Sequence, residues 1–228
     1  MKTIQSHVIW AFSFAILLFT SCGTNRQLTS NRKPADINKL TILKPLTNIQ
    51  LIERGNSGSY SQYDSDKVRD NILDLLNQHL PQHVQKTNIK MDTVDNLLFQ
   101  KEMYDLAAVV EHNQQIKDLV LSDKMLSLLG KYDQDYVMGV VSFGFTRVKG
   151  NYGKQIAKGM VVGILSLGLY TPIPIKSSST LICFIVDRKN KNIAFYRKNT
   201  RQDKDPTEIK VLEKQLKGML SQYFNDTK

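Results

Sequence analysis

The chain has 228 residues, 41% hydrophobic and 23% charged, and its 31 Lys and Arg against 21 Asp and Glu give a formal charge of +10. A chain of this length can bury about 70% of its extended surface, so one core suffices without covalent staples. Two cysteines are too few for a disulfide-stapled scaffold.

The first predicted element stands outside the fold. Lys2 precedes a run over 8–20 with no charged residue, and the run closes on small residues. It is shorter than the roughly 20 apolar residues of a spanning helix, which predicts a secretory signal over 1–21. The junction Phe19-Thr20-Ser21-Cys22 resembles the lipobox of bacterial lipoproteins. That resemblance implies a diacylglyceryl thioether on Cys22 and removal of the leader. The leader carries Lys2 and no acid, so the mature charge is +9. Gly23 stands where an aspartate commonly retains such proteins at the inner membrane, so the resemblance implies outer-membrane anchoring, facing the periplasm. The implied partners are the lipid bilayer, through the N-terminal diacylglycerol, and anionic lipid or another envelope protein. An exported chain does not meet the genome, so the positive charge is not read as nucleic-acid binding.

Residues 22–38 are predicted as the lipidated cysteine and a flexible spacer, because 23–34 (GTNRQLTSNRKP) is polar, contains Gly and Pro, and lacks an apolar period. A single domain follows over 39–228. Two extended runs flank Pro45, and GNSGSYSQYDS reads as a flexible connection, its Gly55 and Gly58 lacking phosphate-loop spacing. A helix is predicted over 65–80, with Val68, Ile72, Leu75 and Leu76 on one face, Asp64 or Ser65 as cap and Pro81 as stop. After a weaker strand over 84–91, Asp92 or Thr93 caps a second helix with a predicted buried stripe of Leu97, Leu98, Leu106, Val109 and Val110. Ser122 and Asp123 open a third helix that Gly130 is expected to end.

DYVMGVVSFGFTRV reads as a central strand, rich in β-branched and aromatic residues. An apolar insert over 151–176 comes next, and then the strand 180–186. In that strand LICFIV is apolar on both alternating faces, so Cys183 is expected to be a buried structural thiol. The polar turn DRKNKN leads to a strand over 193–197. Asp205-Pro206-Thr207-Glu208 forms a capping box for a final helix with the stripe Ile209, Leu212, Leu216, Met219, Leu220 and Tyr223. This order predicts an α/β fold, a mixed sheet covered by helices, with α+β as the alternative.

The segment 131–139 (KYDQDYVMG) and the hairpin over 181–196 with its closing helix resemble the periplasmic domain of CsgG-type and related small outer-membrane lipoproteins. In that family a helix delivers such a segment into a core strand. The resemblance implies the fold of this region and, as one function, an oligomeric secretion component.

Chemistry-bearing motifs are sparse. His79 and His83 have i, i+4 spacing, but Pro81 lies between them and breaks the helix a metal clamp would need. Asp133 and Asp135, two apart on an extended approach, could pair as carboxylates. There is no nucleophile elbow, phosphate-binding glycine motif or zinc signature. No catalytic residue, metal ligand or cofactor is therefore assigned. Phe143, Phe145, Tyr152 and Tyr170 stand among lysines and read as strand packing with a partly exposed rim.

The insert is the distinctive feature. Residues 159–175 carry no charge, and 136–186 hold no acid while Arg147, Lys149, Lys154, Lys158 and Lys176 supply five positive charges. Pro172 and Pro174 end any helix there. One expectation is membrane or partner contact through Lys149, Lys154, Lys158, Lys176 and Tyr170. The other is core or a subunit interface, with Gly159 and Gly163 permitting close helix packing. The sequence thus points to a non-enzymatic binding or assembly component of the envelope. Its rivals are the secretion component and a periplasmic hydrolase, which would need Asp133, Asp135 and His112 in one cleft.

Overall fold

The computed structural model describes residues 25–30, 33–82, 84–88, 91–165 and 174–225. Cys22, His83 and Tyr170 lie outside them. The elements run β1 (Asn25–Thr29), β2 (Lys39–Ile42), β3 (Leu46–Arg54), β4 (Ser57–Tyr60), α1 (Gln62–His79), β5 (Gln85–Asn88) and α2 (Thr93–Asn113). They continue α3 (Asp123–Lys131), β6 (Tyr136–Arg147), α4 (Asn151–Leu165), β7 (Ser178–Asp187), β8 (Asn192–Gln202) and α5 (Ile209–Asn225).

The strands form one mixed sheet in the order β1-β8-β7-β6-β2-β5, with β3 also on β6 and β4 on β3. β2 and β3 run parallel to β6, at Thr41↔Val137 and from Leu46↔Val141 to Ile52↔Arg147. They share this neighbour because Pro45, which has no N–H to donate, divides what would otherwise be one strand. On the other side β7, β8 and β1 are antiparallel. The alternation of β7 divides the core. Leu181, Cys183 and Ile185 face α1 and α5, whereas Ile182, Phe184 and Val186 face α2 and α3. A register shift between Ile185 and Val186 places Ala194 and Phe195 of β8 together in the α1/α5 layer, as a bulge does. The fold is α/β, a mixed sheet flanked on both faces by helices, with five α-helices among the described residues.

Several boundaries differ from the sequence expectation for local reasons. Asn25–Thr29, assigned to the flexible spacer, is an edge strand whose partners run from Asn25↔Asn199 to Thr29↔Phe195. The connection containing Gly55 is a hairpin. Gly55 takes φ 63°, which only a residue without Cβ adopts at little cost, and the chain turns back through Asn56 into β4. α1 starts earlier than expected, at Gln62, because Ser61 Oγ accepts the Asp64 N–H. α2 is capped by Asp92 as expected, but its buried face is Phe99, Met103, Ala107 and Val110, so Leu97, Leu98 and Val109 are exposed. Gly130 does not end α3, which continues to Lys131 and reverses at Asp133 with φ 48°. Asp205 caps a turn, through the Thr207 N–H at 2.8 Å, and α5 begins only at Ile209, which is itself exposed.

Candidate functional site

The end of the sheet where β3, β6 and β8 finish gathers the residues the insert made conspicuous. α4 leaves this end four residues after β6, and its described buried and half-buried side chains belong to its first turns. Asn151 is buried, with Nδ2 donating to the Ile52 carbonyl at 3.4 Å, and Tyr152, Gln155 and Ile156 are half-buried. Every side chain described between Ala157 and Val162 is exposed, Met160 at 62%, Val161 at 55% and Val162 at 39%. These residues are not core of the single chain. α4 also starts at Asn151, well before the expected apolar helix, and so carries Lys154 and Lys158 one turn apart on one face.

Arg147 ties this end together. Its guanidinium donates to the Gly55 carbonyl at 2.8 Å, the Ile175 carbonyl at 3.0 Å and Asn56 Oδ1 at 3.0 Å, and it stacks on Phe145 at 5.6 Å. One side chain thereby joins the β3–β4 turn, β6 and the approach to β7. Beside it a hollow of about 500 Å³ is lined by Thr146, Lys149, Tyr152, Lys176, Lys204 and three acids. Two of those acids are turned to protein donors. Asp205 accepts from Thr146 Oγ1 at 2.8 Å, and Asp203 from the Lys176 N–H at 2.8 Å. Every ion pair among the described residues lies elsewhere, so Lys149, Lys154, Lys158, Lys176 and Lys204 point their charge to solvent. The structure thus brings Lys149 and Lys176 to one hollow and puts Lys154 and Lys158 on the adjoining helix, while Tyr170 is not described.

Sequence reasoning missed Lys204, Asp203 and Asp205 here. They come from the β8–α5 connection, and only the β7–β8 register, Ser178↔Gln202, places them beside β6.

Other candidates lie away from this end, and His83 is outside the described residues. Asp133 and Asp135 do not form a carboxylate pair with His112. They line a hollow of about 290 Å³ whose other residues are Asp36, Asn38, Lys39, Gln134, Tyr136 and Lys189. Asp135 is paired with Lys189 at 2.8 Å and Arg188 at 2.8 Å, and those hydrogen bonds, Lys189 first, hold its carboxyl below the usual range. A group held ionised in this way is a poor general acid. His79 Nε2 faces Glu213 Oε1 at 3.4 Å, and among the described residues no group of three His, Cys, Asp or Glu is arranged to hold a metal ion. Cys183 is fully buried, and burial pushes its thiol up to about 12, as a structural thiol requires. Among the described residues, no helix is long and apolar enough to cross a membrane.

Fold and site together describe a single α/β domain flanked by helices, with an exposed apolar helix and a basic rim at one end of its sheet. No family model matches the chain, and no curated protein matches it. Solved structures do show likeness. A point variant of the PelC dodecamer from Paraburkholderia phytofirmans is similar over 87% of this chain and 97% of its own, at 9% identity and a TM-score of 0.39. The lipoprotein GNA1162 from Neisseria meningitidis is similar over 84% and 99%, at 9% identity and a TM-score of 0.36. A DUF4136 family protein from Bacteroides thetaiotaomicron is similar over 89% and 97%, at 10% identity and a TM-score of 0.34.

Proposed function

We propose that this protein is a lipid-anchored, non-enzymatic component of the bacterial envelope, held at the outer membrane by a diacylglyceryl group on Cys22 and serving there as a binding or assembly element. The observation that carries the reading is the junction Thr20-Ser21-Cys22 at the close of an uncharged run that follows Lys2. Asp135, one of the carboxylates singled out by the sequence, supports a structural rather than a chemical use, since it is committed to Lys189 and Arg188.

The test is metabolic labelling with palmitate followed by separation of the two membranes on a density gradient. Wild-type protein takes up label and sediments with outer membrane, whereas Cys22→Ser takes up none and keeps its leader. Label on the Cys22→Ser protein overturns the anchor, and label in the inner-membrane fraction alone overturns the location.

A further inference from the structure

We infer that the end of the sheet carrying α4 is a second membrane contact, in which exposed Met160, Val161 and Val162 enter the head-group boundary and Lys149, Lys154 and Lys158 meet anionic lipid. The inference rests on the Cys22 anchor and adds an orientation to it.

The position of the tether carries the argument. β1 runs antiparallel to β8, so Asn25 pairs with Asn199 while Thr29 lies at the opposite end of the sheet, beside Asn190 and Lys191 of the β7–β8 turn. Beyond Asn199, β8 continues only to Gln202, which pairs with Ser178, and Ser178 with Phe145. Asn25 therefore points its N-terminal side toward the end from which α4 emerges. Two residues, Gly23 and Thr24, separate Asn25 from Cys22, and over three steps of ~3.6 Å the lipidated residue reaches no more than ~11 Å from the strand. A bilayer holding Cys22 must then lie close to that same end.

What faces the bilayer there is suited to it. Three consecutive apolar side chains are 62%, 55% and 39% exposed on a helix of 15 residues. Around them the lysines of the 136–186 stretch, which contains no acid, stand outside any ion pair among the described residues. Apolar residues at head-group depth with lysine stems lying along them and ammoniums on lipid phosphates is the arrangement of an interfacial helix. The diacylglyceryl group already supplies two acyl chains, so what the basic patch adds is the orientation of the domain at the surface.

The test uses the lipidated mature protein with one added cysteine, Val161→Cys, carrying an environment-sensitive fluorophore. Cys22 is blocked by its lipid and Cys183 is buried, so labelling is selective. Lys124→Cys on α3 is the control, close to Leu121, which donates to the Lys191 carbonyl of the far turn at 2.8 Å. The protein is reconstituted into vesicles of equimolar phosphatidylethanolamine and phosphatidylglycerol, or of phosphatidylcholine alone. The probe at 161 is expected to shift to the blue in the anionic vesicles, to lose the shift in high salt, and to show none at 124. Each lysine contributes on the order of fivefold to the docking equilibrium constant, so Lys154→Gln with Lys158→Gln lowers the ratio of docked to undocked protein by about 25-fold. If the protein is lipidated but the probe at 161 stays as wet as at 124, this contact is overturned and the anchor stands. A blue shift that is equal in neutral vesicles and indifferent to salt overturns it in favour of contact between copies. Absence of lipid on Cys22 overturns the anchor and, with it, the orientation.

Discussion

Gln215 on α5 is a buried polar side chain, 1% exposed, that fastens the helix to two strands. Its Oε1 accepts from Ser179 Oγ at 2.8 Å, and its Nε2 lies 3.2 Å from the Ser179 carbonyl, 3.1 Å from the Asn199 carbonyl and 3.2 Å from Asn199 Oδ1. Replacing it by Leu keeps the volume but removes both the donor and the acceptor. The Ser179 hydroxyl and at least one oxygen of the Ser179–Asn199 pair then lose a partner inside the protein. At about 1–3 kcal/mol for each buried group left unsatisfied, less a small gain from the added apolar surface, Gln215→Leu should cost about 2–4 kcal/mol. For a domain of this size each kcal/mol moves Tm by roughly 2–4 °C, so the melt should fall by about 5–15 °C. Urea unfolding followed by circular dichroism gives the free energy directly. The network also predicts partial rescue, because Ser179→Ala in the Gln215→Leu background removes the orphaned hydroxyl and should recover about 1 kcal/mol. A loss below about 0.5 kcal/mol, or a double variant weaker than the sum of the singles, would refute the assignment of this helix contact to hydrogen bonding.

Two further outcomes test the rest of the frame. Asp95 on α2 accepts from Lys131 Nζ at 2.5 Å and Tyr132 Oη at 2.5 Å, and these bonds, Lys131 first, lower its pKa. A depressed carboxylate stabilises the fold above its unfolded pKa and loses that contribution as pH falls through the folded one, so the advantage of wild type over Asp95→Asn in urea midpoint should shrink below about pH 4. An advantage that stays constant to about pH 3 contradicts this pairing. Cys183 should resist thiol reagents in the folded protein at neutral pH and react fully once denatured, because it is 0% exposed and its thiol is pushed up to about 12. Stoichiometric labelling of the native protein would remove it from the centre of the sheet.

Elements whose apolar pattern is imposed by two buried faces were legible from the chain. β7 is the clearest case, since Leu181 to Val186 contains no polar residue and each of its faces meets a helical layer. The phase of α2 was legible only in part: Val110 is buried as expected, but Leu97, Leu98 and Val109 offer as good a stripe as Phe99, Met103 and Ala107. Polar side chains decide between them. Asp95 and Glu102 lie on the buried side, Asp95 held by Lys131 and Tyr132 and Glu102 by Ser122 Oγ at 2.5 Å, and those partners come from a later element. The β3–β4 hairpin carried a signal that was overlooked, a Gly55-Asn56 pair between two short extended runs.

The basic end depends on pairings that local composition does not encode. Lys149 and Lys176 were conspicuous because an uncharged segment separates them, yet their convergence on one hollow follows from β6 and β7 being antiparallel neighbours. The least legible element was β1, and it matters most to the proposed orientation. NRQLT has one large apolar residue, Leu28, too few for a period, and its stability as a strand comes from an exposed edge of β8 that needs a partner. Arg197 helps by donating from Nη1 to Gln27 Oε1 at 2.8 Å. Read as spacer, residues 23–34 would allow the domain to stand tens of ångströms from its lipid and turn freely. With Asn25 paired to Asn199 only two residues lie between the strand and Cys22, so under the proposed anchoring the lipid would also decide which end of the sheet meets the membrane.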